Sequence, residues 1–182
     1  VTWLGYPDTT GMDGMDYRFS DNVADPEGQT DPYFTETVIR LPNGFLCYTP
    51  HRNAPKSDKL PFLKTNQITF GSFNNLTKVT EDVIRVWSQI LQQVPRSRVL
   101  IKSRQLADES TRRYYHKLFS DNGVPPERVV LHPRIASKEG HLALYNKVDI
   151  ALDPFPYNGT TTTFEAMWMG VPVLTINGDR HV

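Results

Sequence analysis

Four consecutive threonines, residues 160–163, stand at the start of a predicted helix in the segment PYNGTTTTFEAMWMGVPV (156–173). Threonine is β-branched and a poor helix former, so helix propensity does not account for the run. A helix N-terminus offers backbone N–H groups without an intrahelical acceptor, together with a partial positive charge, and both suit a phosphate. The threonine hydroxyls would add donors to the same oxygens. The segment predicts an anion pocket, and N-capping by one or two of the threonines is the alternative.

Two further segments carry suitable polar side chains directly after predicted strands. Asn75 and Lys78 belong to NNLTK (74–78), and Lys138 belongs to ASKEGH (136–141). In an open α/β sheet, ligands bind beyond the carboxyl ends of the strands, so these residues are expected at one edge with the threonines. Each lysine taken singly also fits a solvated surface position.

Glu165 and His141 are candidates with two interpretations each. Glu165 follows the threonines in the first helical turn, where a carboxylate can complement the helix dipole or accept hydrogen bonds from two sugar hydroxyls. His141 can stack on a base or reach a phosphate, and it can equally be a packed helix residue. Spacing alone favours neither interpretation of the histidine.

Several classes of function lack support. No D-x-D pair and no Cys/His cluster indicates a metal, and neither G-x-G-x-x-G nor Walker A occurs, which speaks against NAD and P-loop chemistry. The 182 residues hold 20 Lys and Arg against 20 Asp and Glu, which gives no support for a nucleic-acid or membrane partner. The single cysteine, Cys47, excludes an intrachain disulfide. With no transmembrane-length apolar run and no signal peptide, we expect a cytoplasmic protein.

Strands and helices alternate from Gln67 onward. The predicted strands are 68–73, 98–103, 128–133, 148–155 and 171–176, and the helices are 80–94, 108–122, one that Ser137 caps, and the Thr-rich helix. Such alternation of apolar strands and amphipathic helices predicts an α/β fold with a doubly wound parallel sheet.

The first 50 residues are less regular. Strands are predicted at 1–6, 15–20 and 44–50, and a short helix is predicted over 31–41. Residues 51–67 are polar and aperiodic and are interpreted as a linker. Residues 1–50 are then the end of one domain, and residues 68–182 form a second, truncated domain. The chain is expected to be a fragment of a larger protein.

These segments resemble the catalytic region of the O-linked N-acetylglucosaminyltransferases, the enzymes with tetratricopeptide repeats that glycosylate Ser and Thr of proteins, and look closest to the bacterial branch. The matching stretches are WLGYP…TG…MDY (3–17), FGSFNNLTKVT…VW..IL..VP.S (70–97), KEGHL (138–142), D.ALD.FPYNGTTTT.EA.WMGVPV.T (149–175) and GDRH (178–181). They cover nearly the whole chain.

The resemblance implies a GT-B-like fold of two Rossmann-like domains, with residues 1–50 ending the N-terminal one and residues 68–182 beginning the C-terminal, nucleotide-sugar-binding one. It implies an inverting transferase that uses UDP-N-acetylglucosamine as the donor, without a metal or other cofactor, and a protein or peptide acceptor. Upstream repeats are expected. The acid/base histidines would lie before Val1, so this chain alone is expected to be inactive.

The resemblance also assigns site residues by motif. Uridine and diphosphate contacts fall on Asn75, Lys78, Lys138, His141, Thr161, Thr162 and Glu165, and the sugar pocket falls on Leu4, Gly5, Pro7, Tyr157 and Thr160. Lys78 is the predicted catalytic residue, because its ammonium would meet the charge that develops on the departing diphosphate.

Three positions depart from the family pattern. Asp8 replaces the usual glycine after GYP, and the animal enzymes have His in place of Thr160 and Asp in place of Glu165. A carboxylate near the sugar keeps a UDP-sugar epimerase or hydrolase open as an alternative. A nucleotide-sugar-binding module without turnover is the other.

Overall fold

The computed structural model describes residues 1–5 and 7–177, and the GDRH motif lies outside the described residues. The described residues form two compact units, residues 1–48 and residues 49–177. Along the part of the chain that is described, no helix combines the length and apolar character needed to cross a membrane.

The first unit contains two short parallel strands, β1 (Tyr17–Ser20) and β2 (Thr37–Arg40), with a 3-10 helix (Asp31–Tyr33) between them. The predicted helix over 31–41 is wrong, because its second half is strand β2, where Thr37, Val38 and Ile39 are β-branched. The strands predicted at 1–6 and 44–50 are also wrong. Within the described part of 1–6, only Thr2 forms a bridge, and Leu4 has a φ of 60°, which ends the extended conformation.

The second unit contains a five-stranded parallel sheet in the order β5-β4-β3-β6-β7. Its strands are β3 (Ile68–Ser72), β4 (Ser97–Lys102), β5 (Val129–His132), β6 (Ile150–Leu152) and β7 (Val173–Leu174). The α-helices are α1 (Phe62–Thr65), α2 (Glu81–Gln93), α3 (Glu109–Asp121), α4 (Lys138–Ala143) and α5 (Thr161–Trp168). Four 3-10 helices span Leu76–Lys78, Arg104–Ala107, Pro126–Arg128 and Leu144–Lys147.

The helix boundaries follow local chemistry. The side chain of Thr80 accepts a hydrogen bond from Val83 N at the start of α2, and Ser137 accepts one from Gly140 N at the start of α4. Helix α3 ends before Gly123, which takes a left-handed φ of 77°. These caps and this stop are where the sequence predicts them.

Helices cover both faces of the sheet. Alternate strand residues point to opposite sides, so each face packs against its own set of helices. On one face, α2 and α3 pack on a first set of strand residues: Phe70, Val99, Ile101, Val129 and Leu152. On the other, α4, α5 and the segment between α4 and β6 pack on Leu100, Val130 and Ala151. The predicted α/β fold with a doubly wound parallel sheet is confirmed.

The strand order creates a switch point between β3 and β6. Strands β4 and β5 extend from one side of β3, whereas β6 and β7 extend from the other. The loops after β3 and β6 therefore diverge to opposite faces and leave a crevice at their carboxyl ends. Crevices of this kind bind ligands in open α/β sheets.

Residues 51–67 pack on the second unit. They contain helix α1, and the carboxylate of Asp149 accepts hydrogen bonds from Phe62 N and from Thr69 N, each at 2.8 Å. Asp58 N also donates to Asn146 Oδ1 at 3.1 Å. Their interpretation as a linker, like the domain boundaries, stays a prediction.

Candidate functional site

Lys78 lies in the crevice between β3 and β6. It ends the 3-10 helix that follows β3, and its Nζ donates a 2.7 Å hydrogen bond to the carbonyl oxygen of Asn158, in the loop after β6. The same ammonium lies 3.9 Å from the ring centroid of Tyr157. Burial lowers the pKa of Lys78, and the nearby Asp153 carboxylate opposes that shift. One cation thus joins the two loops that flank the crevice.

Gly159, in the loop after β6, is closely surrounded by polar atoms. A Cβ there would come within 2.7 Å of Asp153 Oδ1, 2.8 Å of Asn74 Oδ1 and 2.8 Å of Thr162 Oγ1. Gly159 N donates to Asp153 Oδ1 at 2.7 Å, while Asp153 Oδ2 accepts from Asn158 and from Thr175. The glycine is therefore required by the close approach of the protein's own polar atoms.

The threonines at the start of α5 have different environments. Thr160 is the N-cap residue, yet its side chain makes no capping hydrogen bond. Thr162 Oγ1 donates to Asn74 Oδ1 at 2.8 Å, and Thr161 is exposed. Capping by Thr160 therefore does not explain the run, and the start of α5 presents an exposed hydroxyl beside Lys78's loop.

Glu165 is a buried carboxylate, and each of its two oxygens accepts a hydrogen bond. Its Oε1 accepts from Lys138 Nζ, its Oε2 accepts from His141 Nε2 at 2.7 Å, and its side chain is 3% exposed. Burial alone would raise the pKa of Glu165, but the hydrogen bonds from His141 and Lys138 outweigh burial and lower that pKa. The acceptance of ribose hydroxyls by Glu165 stays a prediction that requires Lys138 or His141 to move.

His141 is largely buried in an aromatic cluster. Its ring centroid lies 5.9 Å from that of Phe73 and 5.6 Å from that of Tyr145. Its Nδ1 lies 2.8 Å from Lys102 Nζ, at the end of β4. Lys138, by contrast, keeps 44% of its side chain exposed, so it is accessible to a bound anion.

Asn75 borders an open cleft beyond β3 and β4. Its side-chain oxygen accepts from Thr77 N at 3.2 Å and from Gln105 Nε2 at 2.7 Å. The cleft has a volume of about 710 Å³ and is lined by Phe73, Asn74, Asn75, Lys102, Ser103, Arg104, Gln105, Ala107, Asp108 and Arg134. Its lining carries three basic side chains against one carboxylate, which favours an anionic or carbonyl-bearing ligand.

The predicted sugar-pocket residues of the first unit lie on a restrained loop. Leu4 adopts a left-handed φ of 60°, which is rare for a residue other than glycine, and Gly5 follows it. The buried Arg18 donates to the carbonyl oxygens of Pro7 and Asp8, each at 2.9 Å. The buried Glu36 accepts from Thr9 Oγ1 and from Thr10 N.

Three residues that the sequence does not single out contribute to these arrangements: Asn74, Lys102 and Asp153. Asn74 and Asp153 each follow a buried strand by one or two positions, where polar residues at a sheet edge are a general signal. Lys102 looks like an ordinary strand-end lysine, and nothing in the sequence indicates its contact with His141.

Over residues 1–5 and 7–177, no group of three or more His, Cys, Asp or Glu side chains is placed to hold a metal ion. Independence from metals and other cofactors stays a prediction. The structure does not test the roles assigned to the site residues, which also stay predictions.

Residues 56–181 match the sequence model of glycosyl transferase family 41. Among curated proteins, it is 45% identical over 181 residues to the probable UDP-N-acetylglucosamine--peptide N-acetylglucosaminyltransferase SPINDLY of Solanum lycopersicum, covering 100% of this chain and 19% of that protein. It is 28% identical over 189 residues to the similarly named SEC of Arabidopsis thaliana, covering 97% of this chain and 18% of that protein.

A solved structure is also similar: a mutant of the O-GlcNAc transferase of Thermobaculum terrenum. It aligns with a TM-score of 0.92 and 36% identity, over 99% of this chain and 34% of that one. The resemblance that the sequence motifs indicate is confirmed, and the fold is that of the GT-B class. The chain spans about a fifth of the length of the curated relatives it matches.

Proposed function

Because the chain belongs to glycosyl transferase family 41, we propose that it supplies the nucleotide-sugar site of an inverting transferase. The proposed reaction moves N-acetylglucosamine from UDP-N-acetylglucosamine to Ser or Thr hydroxyls of proteins. The names of the tomato and Thermobaculum proteins support this donor and acceptor class. The observation that carries the proposal is the contact of Lys78 with Asn158, in the loop that leads into the Thr-rich start of α5, at the switch point between β3 and β6.

The chemistry requires stabilisation of a leaving diphosphate. The acceptor oxygen bonds to the anomeric carbon, the bond from that carbon to the β-phosphate oxygen breaks, and UDP leaves with the electron pair. Lys78, the first-turn amides of α5 and the Thr161 hydroxyl are groups that can stabilise the growing negative charge. The acceptor proton would go to a general base, a role that the resemblance assigns to histidines expected elsewhere in the protein.

Lys138 is suited to a ground-state role in this proposal. Its half-exposed ammonium is anchored by Glu165, so it is held near the crevice while keeping donors available. His141 and Phe73 provide apolar ring surface beside it. Together they suit the ribose and base of the donor. A cytoplasmic location, upstream repeats and independence from metals remain predictions from the sequence and its resemblance.

The two alternative functions receive less support. A UDP-sugar epimerase or hydrolase would use Asp8, whose carboxylate accepts a hydrogen bond from Thr9 N at 2.8 Å within its own loop. Neither that activity nor a binding module without turnover appears among the names of the relatives. Release of free sugar without an acceptor would favour the hydrolase.

Two measurements on the complete gene product test the proposal. Calorimetric titration with UDP, GDP, ADP and inorganic phosphate should show the highest affinity for UDP. Incubation with radiolabelled UDP-N-acetylglucosamine and a Ser/Thr peptide library should give labelled peptide, and a heat-inactivated sample is the control. Preference for another nucleoside diphosphate would overturn UDP-N-acetylglucosamine as the donor. It would leave the crevice between β3 and β6 as the proposed nucleotide site. Absence of any nucleotide binding would overturn the site itself.

A further inference from the structure

Lys102 has an unusual environment for a lysine at the end of a strand. Its ammonium lies 2.8 Å from His141 Nδ1 and 5.3 Å from the centroid of the Phe73 ring. Glu165, Lys138 and Arg134 are the other charged groups that act on it. Burial lowers the pKa of Lys102 to about 8, with Lys138 and Arg134 acting in the same direction and Glu165 opposing them.

The direction of each hydrogen bond in this group follows from proton counting. A lysine ammonium has three donors and no acceptor, so His141 Nδ1 must accept the bond from Lys102. The ring proton is then on Nε2, which donates to Glu165 Oε2 at 2.7 Å. A proton on Nδ1 would point at the ammonium of Lys102. The histidine is thus restricted to one tautomer between a cation and a carboxylate.

We propose that Lys102 is a positioning residue of the nucleotide site, which holds His141 as the neutral Nε2–H tautomer. Without Lys102, the ring can also adopt the Nδ1–H tautomer, whose unprotonated Nε2 no longer donates to Glu165 Oε2. Lys102 therefore keeps both Glu165 oxygens hydrogen-bonded, which holds the carboxylate in the position that anchors Lys138.

The effect on nucleotide binding rests on the proposed function, whereas the state of the ring does not. If Lys138 contacts the nucleotide, a Lys138 side chain that Glu165 no longer holds in place will bind the nucleotide less tightly. A hydrogen bond to a charged group is worth enough to change affinity on the order of tenfold. The ring geometry itself can be measured with no ligand present, so the two ideas can fail separately.

The first measurement identifies the tautomer of His141 by nitrogen-15 NMR of the imidazole rings at neutral pH, in the complete gene product. The His141 signal is assigned by its loss in His141→Asn. We expect wild-type His141 to carry a proton on Nε2 only. A proton on Nδ1 in the wild-type protein would overturn the proposal without any variant of Lys102.

The second measurement compares Lys102→Met, Lys102→Arg and Lys117→Met. Methionine keeps the apolar stem and removes the donor, arginine keeps a donor, and Lys117 is an exposed lysine that pairs with Asp121 on α3. We expect Lys102→Met to populate the Nδ1–H tautomer of His141 and to raise the UDP dissociation constant on the order of tenfold. Lys102→Arg and Lys117→Met should retain the wild-type ring state and affinity.

A purely structural lysine gives a different pattern. Lys102→Met would then lower the melting temperature while His141 kept its proton on Nε2 and UDP affinity was unchanged, and this result would overturn the proposal. A changed ring state in a protein whose wild type binds no nucleotide would instead support the positioning role and contradict the proposed function.

Discussion

The ammonium of Lys78 lies 2.7 Å from the carbonyl oxygen of Asn158, and this contact joins the loops after β3 and β6 at the switch point of the sheet. A carbonyl is a weaker partner for an ammonium than an anionic phosphate oxygen is. Under the proposed function, a bound diphosphate would displace or share this contact, and Lys78 would already lie close to the departing oxygen.

Lys78→Ala is expected to lower kcat on the order of 100-fold, because one preorganised charge stabiliser is lost from the transition state. Lys78→Arg should not restore full activity, since a planar guanidinium does not replace a compact ammonium in this space. Steady-state kinetics on the complete gene product measure both effects. Lys117→Ala, in an exposed pair on α3, is the control. A raised donor KM with unchanged kcat would show that Lys78 binds substrate and transition state equally.

Gly159→Ala is expected to weaken nucleotide binding on the order of tenfold or more, because displaced loops lose their alignment with the ligand. The new Cβ would lie within 2.7–2.8 Å of three oxygen atoms, so the loop must move. Overpacking of this kind also costs about 1–3 kcal/mol of stability. Gly14→Ala is the matched control, since a Cβ there meets nothing within 4 Å. Equal UDP affinity in both variants would show that the loop does not shape the site.

Thr161→Ala and Thr162→Ala should separate ligand binding from folding. The Thr162 change leaves the Oδ1 atom of the buried Asn74 without its donor, which costs about 1–3 kcal/mol in the free energy of unfolding. Thr161 is exposed, so its replacement should weaken UDP binding with little change in stability. Chemical denaturation and calorimetry measure the two quantities. Thr162→Ser, which keeps the hydroxyl, should resemble the wild type, and unchanged UDP affinity in Thr161→Ala would remove that hydroxyl from the site.

Glu36 should make the stability of the first unit depend on pH. The hydroxyl of Thr10, its backbone N–H and the hydroxyl of Thr9 stabilise the carboxylate and lower its pKa from 4.5 to about 2, although burial opposes them. A depressed native pKa adds stability above the unfolded value of 4.5, and that stability is lost as the pH falls toward 2. The stability difference between wild type and Glu36→Gln should therefore shrink across this window. A difference that is constant with pH would contradict the assignment.

Urea denaturation at several pH values measures this difference in the free energy of unfolding. The matched control is Glu127→Gln, which makes the same substitution at an exposed glutamate in the 3-10 helix before β5. Loss of the Glu36 contacts should also disturb the loop that carries Pro7 and Asp8, since Thr9 and Thr10 follow them directly.

The local elements were predictable from the sequence where the pattern was strong. Helix α2 has a stripe of apolar residues, a threonine cap and a following proline, and it forms over Glu81–Gln93 within the predicted 80–94. A short helix is predicted over 31–41, whereas parallel pairing with β1 stabilises a strand over Thr37–Arg40. Pairing partners distant in sequence leave no local signal.

By itself, the sequence determined the class of fold, the family and the set of polar residues at the carboxyl edge of the sheet, because strand alternation and motif spacing are local properties of the chain. Only the tertiary structure decided which of those residues contact one another. It buried Glu165 between Lys138 and His141, brought Asn74 to Thr162 and placed Lys102 against His141. The physical reason is that a buried polar group must find partners across space, and the partner is chosen by strand order and helix packing.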